Sequence, residues 1–340
     1  MPRTRRVSIK DVAKAVGVSH STVSRALSGK PVVKSETLER IKRLAREMGY
    51  SPDAWARSLV MGRTLTVGVV VTSVADPFIA EVIQGIESTA YENGYTVILA
   101  SSNSDPEREM GAVNMLRSKR VDGVIVASSR VGALYQDRLK QIGVPVVLLN
   151  SHSEQSGRYT FSVTVDNQQG GHSATRHLIE LGHRRIAYIT GPANHSSNVG
   201  RLAGYRQALT EAGLGFDPAL VVLGNGRVDG GEQAWPLLTE LAEAPTAAFC
   251  YNDMSAFGLL RVVRALGLDV PRDLSVVGFD DIPFASYVCP PLTTVAQPKV
   301  EMGKRAMQMS LALMAGDLQV SDVVVKGELI VRESSAKRPI

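Results

Sequence analysis

Residues 8–27, SIKDVAKAVGVSHSTVSRAL, decide the fold of the first part of this chain. The segment predicts two short helices joined by a turn. Ser8 and Asp11 have the spacing of a capping box, and Gly17 suits the tight turn that ends the first helix. Ser19 is placed to cap the second helix. The apolar residues of the first helix follow the i, i+3, i+4, i+7 spacing of one buried face: Ile9, Val12, Ala13 and Val16.

A third predicted helix packs against these two helices. Ser35 begins it, and Gly49 with Pro52 ends it. Two helices joined at Gly17 and buried by a third form a helix-turn-helix arrangement. The inward residues are Val23, Ala26 and Leu27 of the second helix and Leu38, Ile41, Leu44, Ala45 and Met48 of the third. The outward face of the second helix offers groups that reach base edges or phosphates in a DNA major groove: His20, Ser21, Thr22, Ser24 and Arg25.

The positive charge of the chain is concentrated at its beginning. The 340 residues include 38 Lys or Arg and 33 Asp or Glu, a net charge of +5. Residues 1–63 hold 14 basic and five acidic side chains, so they carry +9 and the remainder carries −4. A basic segment on a mildly acidic body favours a polyanion such as double-stranded DNA as its partner. The alternatives are a solvated basic tail and a small helical bundle with a polar surface.

These residues resemble the LacI/GalR family of bacterial transcription regulators. The resemblance is carried by residues 8–27, by Tyr50-Ser-Pro52 and Ala56-Arg-Ser-Leu59, and by Val277-Gly-Phe-Asp-Asp281, so it covers essentially the whole chain. It implies a small all-α helix-turn-helix DNA-binding domain. An α/β body like that of periplasmic binding proteins would follow, with two doubly wound parallel-sheet subdomains.

The resemblance places the DNA contacts in a head that spans residues 1–62. The positions that read bases hold His20, Ser21 and Arg25. Residues 53–61 match the family's hinge helix, which pairs with its copy in the minor groove, and Leu59 matches the leucine that wedges between base pairs. Trp55 is larger than the residue expected there, and it would either pack between paired hinges or cover the core. The other predicted DNA contacts, several of them to phosphate, are Ser8, Lys10, Ser19, Thr22, Ser24, Lys34, Trp55 and Arg57.

The rest of the chain alternates short apolar runs with helical stretches. The runs are Val67–Val71, Thr96–Ala100, Gly123–Ala127, Pro145–Leu149, Phe161–Val165, Ile186–Thr190, Ala247–Tyr251 and Leu274–Phe279. Strands that alternate with helices form parallel sheets covered on both faces, and so many of them predict two sheets that divide near residues 165–167. The resemblance implies the same body, residues 63–340. Its N-subdomain would hold about 66–165 plus 293–320, with Thr293–Pro298 crossing back to it, and its C-subdomain about 166–290 plus 321–340.

Polar residues follow the ends of several predicted strands. In such paired subdomains the carboxyl ends of the strands border the cleft in which ligands bind. The predicted ligand-binding residues are Phe78, Ile79, Asn150, Asp166, His195, Ser197, Arg201, Arg227, Asn252 and Asp280. The resemblance assigns effector contacts to Asp166, Arg201, Asn252 and Asp280 and places His195, Ser197 and Arg227 along the pocket. Asp166 and Asn252 also precede predicted helices, so each is suited to cap a helix as well.

Converging donors and acceptors suit a polyhydroxylated or charged small molecule. The resemblance implies that sugar-binding members often place an aromatic ring where this chain has Arg227. Arg201, Arg227 and His195 together would hold a carboxylate or a phosphate. A sugar acid or another anionic metabolite is the first expectation, and a neutral sugar or a nucleoside is the alternative.

The sequence lacks the motifs of common enzyme and metal sites. It has no Walker-type phosphate loop, no Gly-x-Gly-x-x-Gly after a strand, no Gly-x-Ser-x-Gly and no Cys-x-x-Cys. His172 and His177 are five residues apart, which does not place both on one helix face for a metal ion. We therefore expect no catalysis, no cofactor and no metal. Cys250 and Cys289 are expected to be packing residues in a reducing compartment.

No membrane or export segment is expected. No apolar run reaches the roughly 18 residues of a membrane span, and residues 1–20 lack the apolar core of a secretory signal. The expected location is the bacterial cytoplasm, at the nucleoid when the protein is bound to DNA. Two other functions stay open: a ligand-binding protein or sensor without DNA activity, and a sugar-metabolising enzyme with an unusual appendage.

The parts together predict a ligand-controlled transcriptional regulator, which in this family is most often a repressor. One head reads only a few base pairs, so two heads are expected on a near-palindromic operator, in a homodimer held by the body. Cleft closure would change the separation of the two points where residues 62–66 leave the bodies, so that the hinge helices meet or part. Effector and operator binding would be coupled in this way.

Overall fold

The computed structural model describes residues 7–27, 33–50, 62–127, 143–150, 160–193, 195–317 and 319–338. The chain divides into two compact units, Met1–Leu65 and Thr66–Ile340. The predicted hinge helix at 53–61, with Trp55, Arg57 and Leu59, lies outside the described residues. Among the described helices, none is both long enough and apolar enough to cross a membrane.

The described residues of the first unit form three helices: α1 (Ile9–Val16), α2 (His20–Leu27) and α3 (Ser35–Glu47). Both halves of the capping box are present, with the Ser8 hydroxyl accepting from the Asp11 amide and the Asp11 carboxylate accepting from the Ser8 amide. Gly17 ends α1 with a φ of 75°, a left-handed conformation that favours glycine. The buried core consists of Val12, Ala13, Val16, Val23, Ala26, Ile41 and Ala45.

The second unit, the body, contains two six-stranded sheets. The first has the order β11-β5-β4-β3-β1-β2, and all its neighbouring strands are parallel. Its strands are β1 (Thr66–Val71), β2 (Thr96–Ser101), β3 (Gly123–Ala127), β4 (Val146–Leu149), β5 (Thr160–Val165) and β11 (Val323–Val325). The second has the order β12-β10-β9-β8-β6-β7, and only β12 is antiparallel to its neighbour. Its strands are β6 (Ile186–Ile189), β7 (Val221–Val222), β8 (Ala247–Cys250), β9 (Ser275–Asp280), β10 (Thr293–Ala296) and β12 (Glu328–Ile330).

Helices cover both sheets, as the alternation of strands and helices predicts. They are α4 (Pro77–Glu92), α5 (Pro106–Ser118), α6 (Asn167–Glu180), α7 (Ser196–Glu211), α8 (Val228–Thr239), α9 (Asp253–Ala265) and α10 (Lys299–Met314). Short 3₁₀ helices occupy Pro218–Leu220 and Pro283–Ser286. We call the first sheet with α4, α5 and α10 the first subdomain, and the second sheet with α6–α9 the second subdomain. The predicted division after β5 agrees with this arrangement.

Two expected crossings between the subdomains are wrong. Thr293–Ala296 does not cross back to the first sheet, because it forms β10 and pairs in parallel with β9 of the second. The crossing comes immediately afterwards, at residues 297–298. Val323–Val325, expected in the second subdomain, pairs with β5 of the first sheet as β11. The partner of a strand is decided by tertiary packing, and three or four β-branched residues look alike in sequence in either sheet.

Glycines allow several helix pairs of the body to cross backbone to backbone, among them α4 with α10 and α6 with α7. A Cβ on Gly85 of α4 would overlap the Val300 carbonyl of α10, and one on Gly303 would overlap the Val82 carbonyl of α4. Gly204 of α7 approaches the Gln168 carbonyl of α6 in the same way. These contacts fix the spacing of helices whose first turns border the cleft described below.

Candidate functional site

The exposed face of α2 carries the predicted DNA-reading groups. His20, Ser21, Ser24 and Arg25 are exposed and Thr22 is half-buried, while Val23 and Ala26 point into the core. The Ser19 hydroxyl accepts from the Thr22 amide at 3.1 Å, as its capping role predicts. It also lies 2.8 Å from the hydroxyls of Ser21 and Thr22. The first turn of α2 therefore presents a row of hydroxyls beside the positive end of the helix dipole.

Other predicted DNA contacts of the first unit are also accessible. Ser8, Lys10 and Lys34 are exposed. The guanidinium of Arg40 on α3 donates to the Val16 carbonyl at the end of α1, which holds the turn before α2 against the third helix. The described DNA-reading residues thus lie on one short helix with a fixed support.

A cavity of about 300 Å³ lies between the two subdomains, at the carboxyl ends of their strands. Eight of the ten predicted ligand-binding residues line it: Phe78, Asn150, His195, Ser197, Arg201, Arg227, Asn252 and Asp280. Ile79 and Asp166 do not. Ile79 is 1% exposed and packs in the core of the first subdomain. Asp166 accepts from the Gln169 amide at 2.9 Å and caps α6, the helix-cap role that the sequence also allowed.

Arg201 is the most constrained cation of the cavity. It is 2% exposed, and its Nε donates to the Asn167 side chain at 2.9 Å. Nη1 donates to the Tyr251 carbonyl at 2.5 Å, and Nη2 lies 3.8 Å from the Asp280 carboxylate. The guanidinium also stacks over the Phe279 ring, 3.6 Å from its centroid. Each nitrogen of Arg201 therefore already faces a protein acceptor.

Asp280 lies at the end of β9 and is 7% exposed. Burial raises the pKa of its carboxyl to about 7, although the positive charge of Arg201 acts to lower it, and the Asp76 carboxylate raises it further. Gln297 Nε2 donates to Asp280 Oδ1 at 2.6 Å. A carboxyl with this pKa is partly protonated near neutral pH, so it offers the cleft an acceptor and, when protonated, a donor.

The backbone at the end of β9 is strained. Asp280 has a φ of 121° and Asp281 a φ of 51°, in the region where side chains other than glycine are disfavoured. Such residues cost about 1–3 kcal/mol each and persist only where the surroundings hold them. The Asp281 amide donates to the Thr294 hydroxyl at 3.4 Å, and the Ile282 amide donates to the buried Asp253 at 2.9 Å. This turn directs Asp280 into the cavity.

A chain of three side chains forms another part of the cavity wall. His195 Nδ1 lies 2.6 Å from the Ser197 hydroxyl, which lies 2.7 Å from the Tyr251 hydroxyl. A Cβ on Gly191 would overlap the Tyr251 ring, so the ring packs directly on backbone. Asn252 accepts from the Ser255 amide at 3.0 Å and caps α9, as the sequence predicts, and its amide donates to the Gly226 carbonyl at 3.0 Å.

Several lining residues escaped the sequence prediction. Asp76, Tyr251 and Gln297 all border the cavity. Asp76 caps α4 by accepting from the Phe78 amide at 3.0 Å, and burial raises the pKa of its carboxyl. The Asp-Pro pair after β1 is a helix-start signal that could have located Asp76. Gln297 had no such signal, because it reaches the cavity only through the crossing between subdomains.

One acceptor in the cavity lacks a partner. Asn150 is 6% exposed, and its Nδ2 donates to Gln297 Oε1 at 3.4 Å. Its Oδ1 is buried without a hydrogen-bond partner among the described residues. A buried acceptor of this kind costs free energy until a donor reaches it, so the position suits a ligand hydroxyl or N–H.

Known protein families match both units of the chain. Residues 8–53 match the family described as bacterial regulatory proteins, lacI family, and residues 175–335 match the periplasmic binding protein-like domain. The HTH-type transcriptional repressor PurR of Vibrio atlanticus is 38% identical over 305 residues, covering 89% of this chain and 91% of that protein.

Two solved structures are similar along nearly the whole chain. The lac repressor dimer bound to operator and the anti-inducer ONPF has a TM-score of 0.87 at 28% identity, covering 98% of this chain and 100% of that one. The transcriptional regulator CelR–cellobiose complex has a TM-score of 0.73 at 35% identity, covering 97% of this chain and 100% of that one.

Proposed function

The chain belongs to the lacI family of bacterial regulatory proteins, and we propose that the first unit binds the operator while the cleft of the body binds the controlling effector. The protein is a sequence-specific DNA-binding transcriptional regulator of the repressor type, and a small polar molecule controls its operator affinity. It acts as a homodimer on double-stranded DNA. The observation that carries the proposal is the presence, on one chain, of an exposed donor-rich α2 and a polar cavity between two subdomains.

We assign the DNA contacts to the exposed groups of the first unit. His20, Ser21 and Arg25 would contact bases, since the recognition helix of such a motif lies in the major groove. The remaining assignments are Ser8, Lys10, Ser19, Thr22, Ser24 and Lys34, together with Trp55, Arg57 and Leu59 of the segment outside the described residues. A near-palindromic operator follows from the two-fold symmetry of the dimer.

The contacts in the cleft favour the neutral alternative for the effector. Two of the five N–H groups of Arg201 donate to Asn167 and Tyr251, and the Asp280 carboxylate lies 3.8 Å from Nη2, so the positive charge of Arg201 already has a protein counter-charge beside it. Asp76 and Asp280 add carboxyl groups, and Asn150 Oδ1 lacks a donor. An uncharged molecule with several hydroxyl or N–H donors, such as a sugar or a nucleoside, satisfies these acceptors. The similar CelR regulator is in complex with cellobiose, a neutral sugar.

Two further statements belong to the same proposal. The relatives are transcriptional regulators, and we propose that this chain, like them, has no catalytic activity. We also propose that it works in the bacterial cytoplasm, bound at the nucleoid when it occupies its operator, because a repressor acts where the chromosome is.

A gel-shift assay with fragments of the source genome tests the DNA function. We expect wild-type protein to retain a small number of fragments, and log K to fall steeply with log salt, by about 0.9 for each phosphate neutralised. Arg25→Ala should weaken binding to a retained fragment at least tenfold. Arg43→Ala removes an exposed arginine of α3 that pairs with Glu47, and it should have little effect. If no duplex is retained with or without candidate effectors, the proposal fails.

A thermal-shift panel of ribose, cellobiose, adenosine and glucuronate tests the ligand class. A specific ligand raises the melting temperature by mass action. We expect stabilisation by one of the neutral compounds and none by glucuronate. Stabilisation by glucuronate alone would contradict a neutral effector and would favour a sugar acid instead.

A further inference from the structure

Lys299 is placed where helix energetics alone would not put a lysine. It is the first residue of α10, directly after the crossing at residues 297–298 from the second subdomain to the first. A cation in the first turn is opposed by the helix dipole, and no side-chain cap offsets it there. The Lys299 side chain is nevertheless 5% exposed. A buried ammonium at this position needs acceptors that come from outside the helix.

Three acceptors from two subdomains satisfy the Lys299 ammonium. Nζ donates to the carbonyl of Asp280 at 2.9 Å and to that of Asp281 at 2.6 Å, both in the second subdomain. The carboxylate of Glu81 on α4 of the first subdomain lies 3.2 Å away. These three contacts use the three donors that an ammonium has.

The two carbonyls belong to the strained turn that directs Asp280 into the cavity. The chain leaves the ladder of β9 through these two consecutive residues with positive φ, and the Asp280 carbonyl also accepts from the Gln297 amide at 3.3 Å. Lys299 supplies a charged donor to both carbonyls. The amides on the other side of the turn are held by Thr294 and Asp253.

Glu81 reaches Lys299 from the neighbouring helix. Gly85 and Gly303 let α4 and α10 cross at backbone contact, and the Glu81–Lys299 ion pair adds a side-chain contact between the two helices near the cavity. α4 also begins at Pro77, and the neighbouring Asp76 and Phe78 line the opposite wall of the cavity. Lys299 therefore connects the Asp280–Asp281 turn, which forms one wall of the cavity, to α4, whose first residues form the other wall.

We propose that Lys299 is a positioning residue for the effector cleft: its ammonium holds the Asp280–Asp281 turn in its strained conformation and, through Glu81, fixes the separation of the two cavity walls. The inference rests on the proposed function for its purpose, since the cleft must be the effector site. Its test uses neither DNA nor effector, so it fails or succeeds independently of the proposed function.

Amide hydrogen exchange of the full-length protein tests the first part. In Lys299→Met both carbonyls lose their charged donor, and the Asp280 carbonyl keeps only the Gln297 amide, while the side chain stays similar in length. We expect exchange at the Asp281 and Ile282 amides to become at least tenfold faster, with strands β1 and β8 unchanged. Lys299→Arg should keep the slow exchange, because a guanidinium still donates to both carbonyls. Lys304→Met, an exposed lysine on the same helix, is the matched control and should exchange as wild type does.

The distance between two nitroxide labels tests the connection between the walls. The labels are attached in Val74→Cys and Leu223→Cys, two exposed residues on opposite subdomains, in a Cys289→Ser background with Cys250 buried. Labelled protein is mixed with an excess of unlabelled protein, so that only distances within one protomer are measured. We expect Glu81→Gln to broaden the distance distribution while the exchange of Asp281 and Ile282 stays slow. Lys299→Met should broaden it as well.

Each result decides the proposal. If Lys299→Met leaves both the exchange and the distances as in wild type, Lys299 has no positioning role. If Lys299→Met unfolds the body, Glu81→Gln decides, because it keeps the ammonium and the turn. A narrow, wild-type distance distribution in Glu81→Gln would then overturn the connection between the walls.

Discussion

The first unit and the body place their functional groups in opposite ways. In the first unit, the groups assigned to the bases lie on the exposed face of one eight-residue helix, above a small core. In the body, the cavity collects groups from Thr72 to Gln297, some buried and some exposed, and no single element supplies them. A surface made by one helix can be inferred from a short sequence segment, whereas a cavity made by many elements depends on the whole fold.

The comparison predicts that truncating one buried side chain unfolds the first unit but leaves the body folded. Ile41 of the first unit and Leu259 of the body are both fully buried, and truncation of either to alanine costs about 2–5 kcal/mol. A head of some sixty residues has little stability to lose. We therefore expect Ile41→Ala to unfold the head and abolish specific DNA binding, which gel shift and circular dichroism would show.

Leu259→Ala is the matched control for that variant. The body has larger cores, so it should stay folded at 25 °C with a lower melting temperature, and DNA binding should persist. Specific binding by Ile41→Ala within tenfold of wild type would show that the head is far more stable than its small core suggests.

The second prediction concerns the most deeply buried charge of the cleft. Arg201→Ala leaves Asp280 buried without its nearest cation, a change that destabilises proteins by about 3–5 kcal/mol. We expect a lower melting temperature for the body and no stabilisation by any compound that stabilises wild type, with operator binding near normal. Arg206→Ala removes an exposed arginine of the same helix, which stacks on Phe216 at 4.2 Å, and should cost at most about 1 kcal/mol. Equal losses in the two variants would show that the Arg201 contacts do not hold the cleft.

The same contrast explains what the sequence could and could not predict. The capping box at Ser8, the turn at Gly17 and the strand alternation follow local spacing rules, and all three are confirmed. The sheet to which β10 belongs was predicted wrongly, because neighbouring strands are chosen by packing between distant segments. Gln297 and Lys299 were missed for the same reason.

The resemblance, and not the spacing of residues in the sequence, identified which distant residues share the predicted site. Arg201 and Asp280 are 79 positions apart, and no local pattern relates them. The structure brings their side chains to 3.8 Å. The resemblance also assigned an effector contact to Asp166. Its carboxylate instead accepts from the Gln169 amide and caps α6, so Asp166 is not among the residues that line the cavity.

The last prediction concerns the pH dependence of the stability of the body. Burial raises the pKa of Asp280 to about 7, whereas an unfolded aspartate titrates near 3.9. The folded state therefore holds an extra proton between these values. Its stabilising contribution is complete below about pH 4 and is lost as the pH rises through 7, with a slope of at most about 1.4 kcal/mol per pH unit.

Denaturant unfolding of the body between pH 5 and 8 measures this slope. The pKa values of Asp76 and Asp253 are also raised by burial, so both add to the same trend. Asp280→Asn replaces the carboxyl by a neutral amide of the same size and should flatten the slope without removing it. Asp229→Asn, at an exposed position of α8, is the control and should leave the slope unchanged. A slope that is the same in Asp280→Asn and in wild type would mean that Asp280 is ionised throughout, and Arg201 would then outweigh burial in setting the charge of the cleft.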